Sequence, residues 1–385
     1  MPAATPTLTG LGIACPLGVG VDAFWAACLA PPTDPLTREP KVREGLTPRP
    51  AVCFPKDFPA ERYTDRRAVR KAAEVARLAA AAGQLALDEA ALPDALRDAT
   101  CLVLGTALGC SRYYLEFHEK IQRKGVKGAN AVLFTESVFN AASAHLSKIH
   151  RLRGTAHTLA GGEDVGLAAL AAAHDRIRLG APAALAGGAE QYADLVHASL
   201  LHEGRVGYAL GLGAEPVAFG EGGAAVVLEA EPRTPPPAGQ RAVRLLATGR
   251  ARAGRGDPDQ ALERALRAAC AQAEVEPAAI DLLVSGGGTR AAVDAQVALL
   301  TRLGASPRTC APKALLGEGF AFGSAAQIVV AALALRTQTL PPTPAELSPD
   351  WRAARAAEPA TLQLALLASQ SAHGSASVAL LACAP

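Results

Sequence analysis

The chain has 385 residues, half of them apolar, which is enough for a large buried core and for two domains or one large α/β unit. Its 38 basic residues nearly balance its 36 acidic ones, and no basic stripe is interleaved with aromatics, which argues against a nucleic acid partner. Residues 1–20 lack the charged start of a signal peptide, and the longest aliphatic runs, such as 328–335, are too short to span a bilayer, so a cytoplasmic protein with no membrane partner is expected.

In chain order, residues 8–14 read as a buried strand, Pro16-Leu17-Gly18 as the loop after it and 21–29 as a short helix. Residues 31–63, rich in Pro and charge, read as a surface excursion. Thr64 or Asp65 is placed to cap a long Ala-rich helix running to Leu87. Residues 101–105 form the next predicted strand, 111–127 a charged and aromatic helix and loop, and 138–150 a helix. Strands are predicted at 183–189 and 224–230. Consecutive prolines in 233–239 suit an exposed connector, dividing the chain into a half 1–232 and a half 240–385. The second half repeats the alternation: strand 242–247, helix 259–273, strand 280–285, helices 293–303 and 327–336, strands 362–369 and 378–383. Alternation in both halves implies mixed sheets covered by helices. The eight Cys are scattered with no C-x-x-C among them, which reads as buried small hydrophobes in a reducing compartment. No metal and no cofactor is expected.

The most informative stretch is 154–180. Residues 155–160 form a short strand, Gly161-Gly162 a sharp turn, and 164–179 an apolar helix closed by Gly180. Strand, tight turn and buried helix make a nucleophile elbow, which presents one side chain at a helix N-terminus where the dipole favours negative charge. The presented residue is Glu163, not Cys or Ser.

This stretch resembles the active-site turn of the β-ketoacyl-acyl carrier protein synthases, whose pattern is roughly G-P-S-x-T-x-x-T-A-C-x-x-G. Gly154, Thr158 and Gly166 fall on its fixed positions. Further resemblances follow in family order: L-T-G-L-G-I-A-C-P-L-G-V-G-V-D-A-F-W at 8–25, V-L-G-T-A-L-G at 103–109 and S-V-F-N-A-A-S-A-H at 137–145, then A-G-G-A-E at 186–190, F-G-E-G-G-A-A-V-V-L-E at 219–229 and A-L-A-L-R-T-Q-T-L-P-P-T at 332–343. The resemblance implies a thiolase-like α/β fold: two similar halves with mixed sheets in an α-β-α-β-α arrangement, the first carrying the elbow and the second two catalytic His. It also implies that the strand leading into the elbow lies at a dimer interface and that residues 134–140 reach toward the neighbour's pocket.

Laid on the family's motifs, the Cys position is Glu163, the first His (H-G-T-x-T-x-x-x-D) is Gly286 with Asp294 retained, and the second His (K-x-x-x-G-H) is Glu318 with Lys313 and Gly317 retained. No histidine lies between His202 and His373, so the second half has no substitute pair. The family's terminal G-F-G-G-T-N becomes Ser371-Ala372-His373-Gly374-Ser375-Ala376. Decarboxylation builds negative charge on an enolate oxygen, and losing one donor aimed at that charge typically costs about 3 kcal/mol. Gly286 has no side-chain donor, an ionised Glu318 repels the enolate, and an acyl-Glu163 anhydride is labile. These replacements argue against ordinary condensation. Leu108, Phe134, Phe139 and His373 are the candidate substrate-pocket residues.

Members of the family that lost the Cys include the chain-length factors of type II polyketide synthases, which commonly carry Gln there and pair with an active condensing subunit. The expected function is therefore a chain-length-factor-like subunit in acyl carrier protein-dependent polyketide or fatty acid synthesis, paired with a condensing subunit or a second copy of itself. The alternative is an enzyme with new chemistry on acyl thioesters, in which Glu163 and Glu318 act as an acid/base carboxylate pair. A condensing enzyme using another thiol, such as Cys110, is a third reading without a His pair to assist it. Each site residue also has a structural reading: Glu163 complementing the helix dipole, Glu318 pairing with Lys313 or an Arg, residues 286–288 and 220–223 as turns.

Overall fold

The computed structural model describes residues 5–32, 37–38, 51–54, 58–203, 218–233, 235–236, 238–253, 258–343 and 351–383. The first half contributes strands β1 (Thr7–Cys15), β2 (Cys101–Thr106), β3 (Ala156–Ala160), β4 (Ala183–Glu190) and β5 (Gly222–Glu229). The second contributes β6 (Val243–Arg252), β7 (Leu282–Ser285), β8 (Arg308–Cys310), β9 (Leu364–Gln370) and β10 (Ser375–Cys383). Their spatial order is β8-β7-β9-β10-β6-β1-β5-β4-β2-β3.

The register pair Thr7–Arg244 joins β1 to β6, so the array works as two five-stranded sheets meeting at a narrow seam. Outward from the seam each sheet runs first, fifth, fourth, second, third strand. In both, the two inner pairings are antiparallel and the two outer ones parallel. The halves are two copies of one topology.

Helix α1 (Glu74–Glu89) packs on β1, β5 and β4, and α3 (Pro258–Ala273) on β6, β10 and β9. Between the sheets lie α2 (Val165–Arg178) and α4 (Ala321–Thr337), each touching strands of both. This is the expected α-β-α-β-α layering. α4 is buried from Ala321 through Arg336. Its apolar residues run all round the helix, the pattern of a helix with no solvent face. Among the described residues no helix is long and apolar enough to cross a membrane.

Several expected boundaries shift. The helix expected from residue 64 to 87 is two helices. Asp65 caps Arg66–Val69 by accepting from the Arg67 amide at 2.8 Å. α1 begins anew because Ala73 is extended, with its amide held by Glu136 at 3.0 Å. Residues 138–140 likewise separate the helix Ala131–Ser137 from Ala141–His150. The expected surface excursion 31–63 is corrected where it is described: Ala51, Val52, Cys53, Phe58 and Ala60 are buried. Val52 bonds through its amide to the Phe219 carbonyl at 2.8 Å, and its carbonyl accepts from the Glu221 amide at 3.0 Å, drawing the segment into the core. Residues 33–36, 39–50 and 55–57 of that stretch lie outside the described residues, as do 234 and 237 of the expected connector.

Three buried histidines make the fold acid-sensitive. Burial pushes His150, His174 and His197 down to about 4. A folded pKa below the unfolded value means the unfolded chain takes up protons first. Their contribution is therefore present above about pH 6.5 and lost as pH falls toward about 4. Urea unfolding followed from pH 6.5 to 4.5 should show a steep loss of stability. His150→Gln, which can keep a bond to the Ala80 carbonyl, should reduce the slope by about one proton, ~1.4 kcal/mol per pH unit.

Candidate functional site

The elbow forms as its sequence demands. β3 ends at Ala160, the chain turns through residues 161–164, and α2 begins at Val165 with Asp164 as its cap residue. Glu163 therefore stands at the helix N-terminus, half-buried, where a carboxylate gains from the dipole. Its carboxylate accepts the Ala372 amide at 3.2 Å and its carbonyl accepts the Ser369 hydroxyl at 3.1 Å. Beside it, both oxygens of buried Asp164 are taken by hydroxyls, Ser375 and Ser377, each at 2.8 Å. Glu163 ties the elbow to the loop between β9 and β10, and Asp164 ties it to the start of β10.

Ser369 also reaches Gly286. A side chain at Gly286 would put its Cβ 2.7 Å from the Ser369 hydroxyl, 2.9 Å from the Ala368 carbonyl and 2.9 Å from the Gln327 amide nitrogen. Gln327 is fully buried and donates to the Val284 carbonyl at 2.9 Å and the Ala368 carbonyl at 3.2 Å. A side chain at position 286 would therefore have to displace these groups from its first carbon onward.

Glu318 lies just before α4. It is buried, with one oxygen 2.7 Å from the Lys313 ammonium and the other accepting the Phe320 amide at 2.8 Å. Lys313 is equally buried. Burial pushes the Glu318 carboxyl up, Lys313 pulls it back, and the charge of Glu163 pushes it up again. Glu163 and Glu318 thus share one electrostatic neighbourhood, and Ser369 links Glu163 to Gly286.

The remaining candidates are dispersed. Leu108 packs with Tyr192, Leu200, Phe219 and Phe320, on a loop whose Leu108 amide donates to Glu190 at 3.2 Å. Burial pushes that Glu190 carboxyl up to about 8. Phe134 and Phe139 are half exposed, Phe139 lying over Gly109 and Phe134 against Phe117. His373 is exposed and lines a cavity beside β3. Burial, with Glu136 and Glu190 adding, pushes the Cys110 thiol up to about 12, which keeps it protonated and unreactive. Ser369, Gln327 and Ala372 escaped the sequence reading. Gln327 alone carried a signal, as a lone amide inside the apolar run 325–335.

The descriptions "Beta-ketoacyl synthase, N-terminal domain" and "Beta-ketoacyl synthase, C-terminal domain" match residues 7–233 and 243–345. The chain belongs to the β-ketoacyl synthase family. Among curated members it is similar to the "Actinorhodin polyketide putative beta-ketoacyl synthase 2" of Streptomyces coelicolor, at 28% identity over 87% of each chain. It is similar also to the "Tetracenomycin polyketide synthase ketoacyl synthase beta subunit" of Streptomyces glaucescens, at 29% identity over 87% of each. Its fold matches the ishigamide ketosynthase/chain length factor with a TM-score of 0.84, 24% identity and full coverage of both chains. It matches a ketosynthase in complex with its chain length factor from Xenorhabdus doucetiae with a TM-score of 0.81 and 16% identity, covering 99% and 98% of the two chains. These similarities establish a thiolase-like ketosynthase fold with relatives among type II polyketide β subunits.

Two measurements check how tightly Gly286 and the Lys313–Glu318 pair are held. Gly286→Ala should cost about 1–3 kcal/mol in urea unfolding, because its Cβ has no room. Lys313→Met should cost about 3–5 kcal/mol by stranding a buried carboxylate, whereas Lys313→Met with Glu318→Leu should recover most of that loss.

Proposed function

We propose that this protein is a non-condensing member of its family, acting as a chain-length-factor-like subunit beside an active condensing subunit in acyl carrier protein-dependent polyketide synthesis. The observation that carries this reading is that every position where the family keeps a catalytic group is satisfied from within the protein. Glu163 accepts the Ala372 amide, Glu318 is held by Lys313, and Gly286 faces filled volume. A carboxylate already hydrogen-bonded at the elbow offers no durable acyl acceptor. A buried Lys–Glu pair offers an enolate no free donor. The similar β subunits of polyketide synthases, and the solved ketosynthase with its chain length factor, support the choice of partner. A similar structure that contains a type II acyl-carrier protein with its ketosynthase, TM-score 0.81 at 20% identity, supports the carrier as the pair's substrate donor. A cytoplasmic location accords with this role.

The alternative, an acid/base pair of Glu163 and Glu318, draws on the upward push that Glu163 exerts on Glu318. Against it, both oxygens of Glu318 already have partners within the protein.

The purified chain should neither take an acyl group from a carrier protein nor decarboxylate the malonyl carrier protein, as followed by intact mass and by release of carbon dioxide. Glu163→Cys should not restore condensation. Substitutions in residues 155–160 or in residues 134–140 should change assembly or product length, and Glu163→Gln much less. Loss of product with Glu163→Gln in a complex that assembles normally would make the carboxylate chemistry the better account.

A further inference from the structure

We infer that the cavity at the C-terminal end of α4, where the connector joins the two halves, is a binding site for a small monocarboxylate with an apolar body. Its volume of about 430 Å³ is that of a small-molecule site. The start of β1, the end of α1, the connector after β5 and the last turn of α4 all contribute to its wall. α4 has 17 residues, a length of about 25 Å, so the cavity stands well apart from Glu163 and Glu318. It is independent of the subunit reading above.

The acceptors around this cavity are spent. Glu89 takes the Arg336 guanidinium on one oxygen and the Leu11 amide, at 2.6 Å, on the other. The Leu8 carbonyl accepts from Arg336 at 2.9 Å. The Ala90 and Ala91 carbonyls accept from Arg233 at 3.1 and 3.4 Å, and buried Glu229 takes the same guanidinium at 2.8 Å. The donors are not spent. A guanidinium presents several N–H groups in a planar fork. Among the described residues, Nε of Arg336 and Nη1 of Arg233 make no hydrogen bond. Arg336 is buried despite its charge. Thr9 adds a third donor to the wall. A β-bulge between Leu8 and Gly10 leaves Thr9 without a register partner on β5, and its buried hydroxyl has no hydrogen-bond partner. Bulges re-aim side chains, and a buried hydroxyl left unpaired lacks an acceptor.

Spare donors beside spent acceptors select a ligand that accepts and does not donate. A carboxylate meets that condition, and its two oxygens match the guanidinium fork. The rest of the wall sets the other half of the ligand. Pro232, Pro235, Pro236 and Ala242 offer rigid apolar surface with no side-chain polar group, which rewards an aliphatic or aromatic body. Inorganic phosphate supplies the charge without the body, and an alcohol of the same length supplies the body without the charge.

The test titrates the intact chain with octanoate by isothermal titration calorimetry, beside acetate, 1-octanol and inorganic phosphate at equal ionic strength. One site per chain should take octanoate about tenfold more tightly than any of the other three, because only octanoate carries both the charge and the body. Arg233→Gln with Glu229→Gln removes both members of an ion pair, so no buried carboxylate is stranded, and should weaken octanoate about tenfold. Ala242→Phe fills the apolar wall without touching a charged group and should abolish binding. Circular dichroism and urea unfolding check that each variant is folded, and Ala242→Phe carries the test alone if the double variant is not. The inference is overturned if octanoate does not saturate a site, or if acetate, 1-octanol or phosphate binds as tightly. It is overturned also if either folded variant binds octanoate like the unmodified chain, which would place the site elsewhere.

Discussion

The two central helices meet backbone to backbone, and the rest of the site depends on that contact. A Cβ at Gly166 of α2 would lie 2.4 Å from the Ala321 carbonyl oxygen and 2.5 Å from the Ala325 nitrogen of α4. The Gly166 amide instead donates to the Ser324 hydroxyl at 2.9 Å. No other residue fits there without driving the helices apart. With α2 locked against α4, the elbow cannot slide, and Glu163 is aimed at the 369–372 segment returning from the other sheet. The same contact sets the N-terminus of α2 beside that of α4, so Glu163 and Glu318 feel each other's charge.

At this meeting point the protein has used its polar groups on itself. The Ala372 amide goes to Glu163, the Lys313 ammonium to Glu318, and the Ser369 hydroxyl to the Glu163 carbonyl. Gln327 fills the ground in front of Gly286. A site meant to receive a thioester keeps some donors aimed at empty space, because their gain must come in the transition state. Here the Ala372 amide, the Lys313 ammonium and the Ser369 hydroxyl are engaged within the protein. Phe320 adds a further cost: a bulky side chain at φ 46°, ψ −112° sits in a region that typically stores about 1–3 kcal/mol. Glu318 holds its amide, and Phe219 packs against its ring.

The duplicated topology explains why Glu163, Gly286 and Glu318, so far apart in sequence, lie in one region. Each half delivers its central helix from the same point in the strand order, and the N-terminal ends of α2 and α4 meet. β7 and β9 run parallel beside them, and their ends carry Gly286 and Ser369 to the same region.

Much of this was legible in the chain itself. Local signals act over short separations, so the elbow and the alternation of strands and helices could be read from the chain, as could the likeness of residues 154–180, 286–294 and 313–318 to the family's motifs. The spacing of Lys313 and Glu318 already allowed an ion pair. Tertiary structure decided what those residues touch. Whether a helix continues past residue 70 depended on Glu136 holding the Ala73 amide, and whether 51–54 is surface or core depended on Phe219 and Glu221, more than 150 residues away. That a Cβ at Gly286 would meet Ser369 and Gln327, and that Ala372 donates to Glu163, are likewise long-range facts. No periodicity records them, because each is set by packing between elements that composition and spacing describe only one at a time.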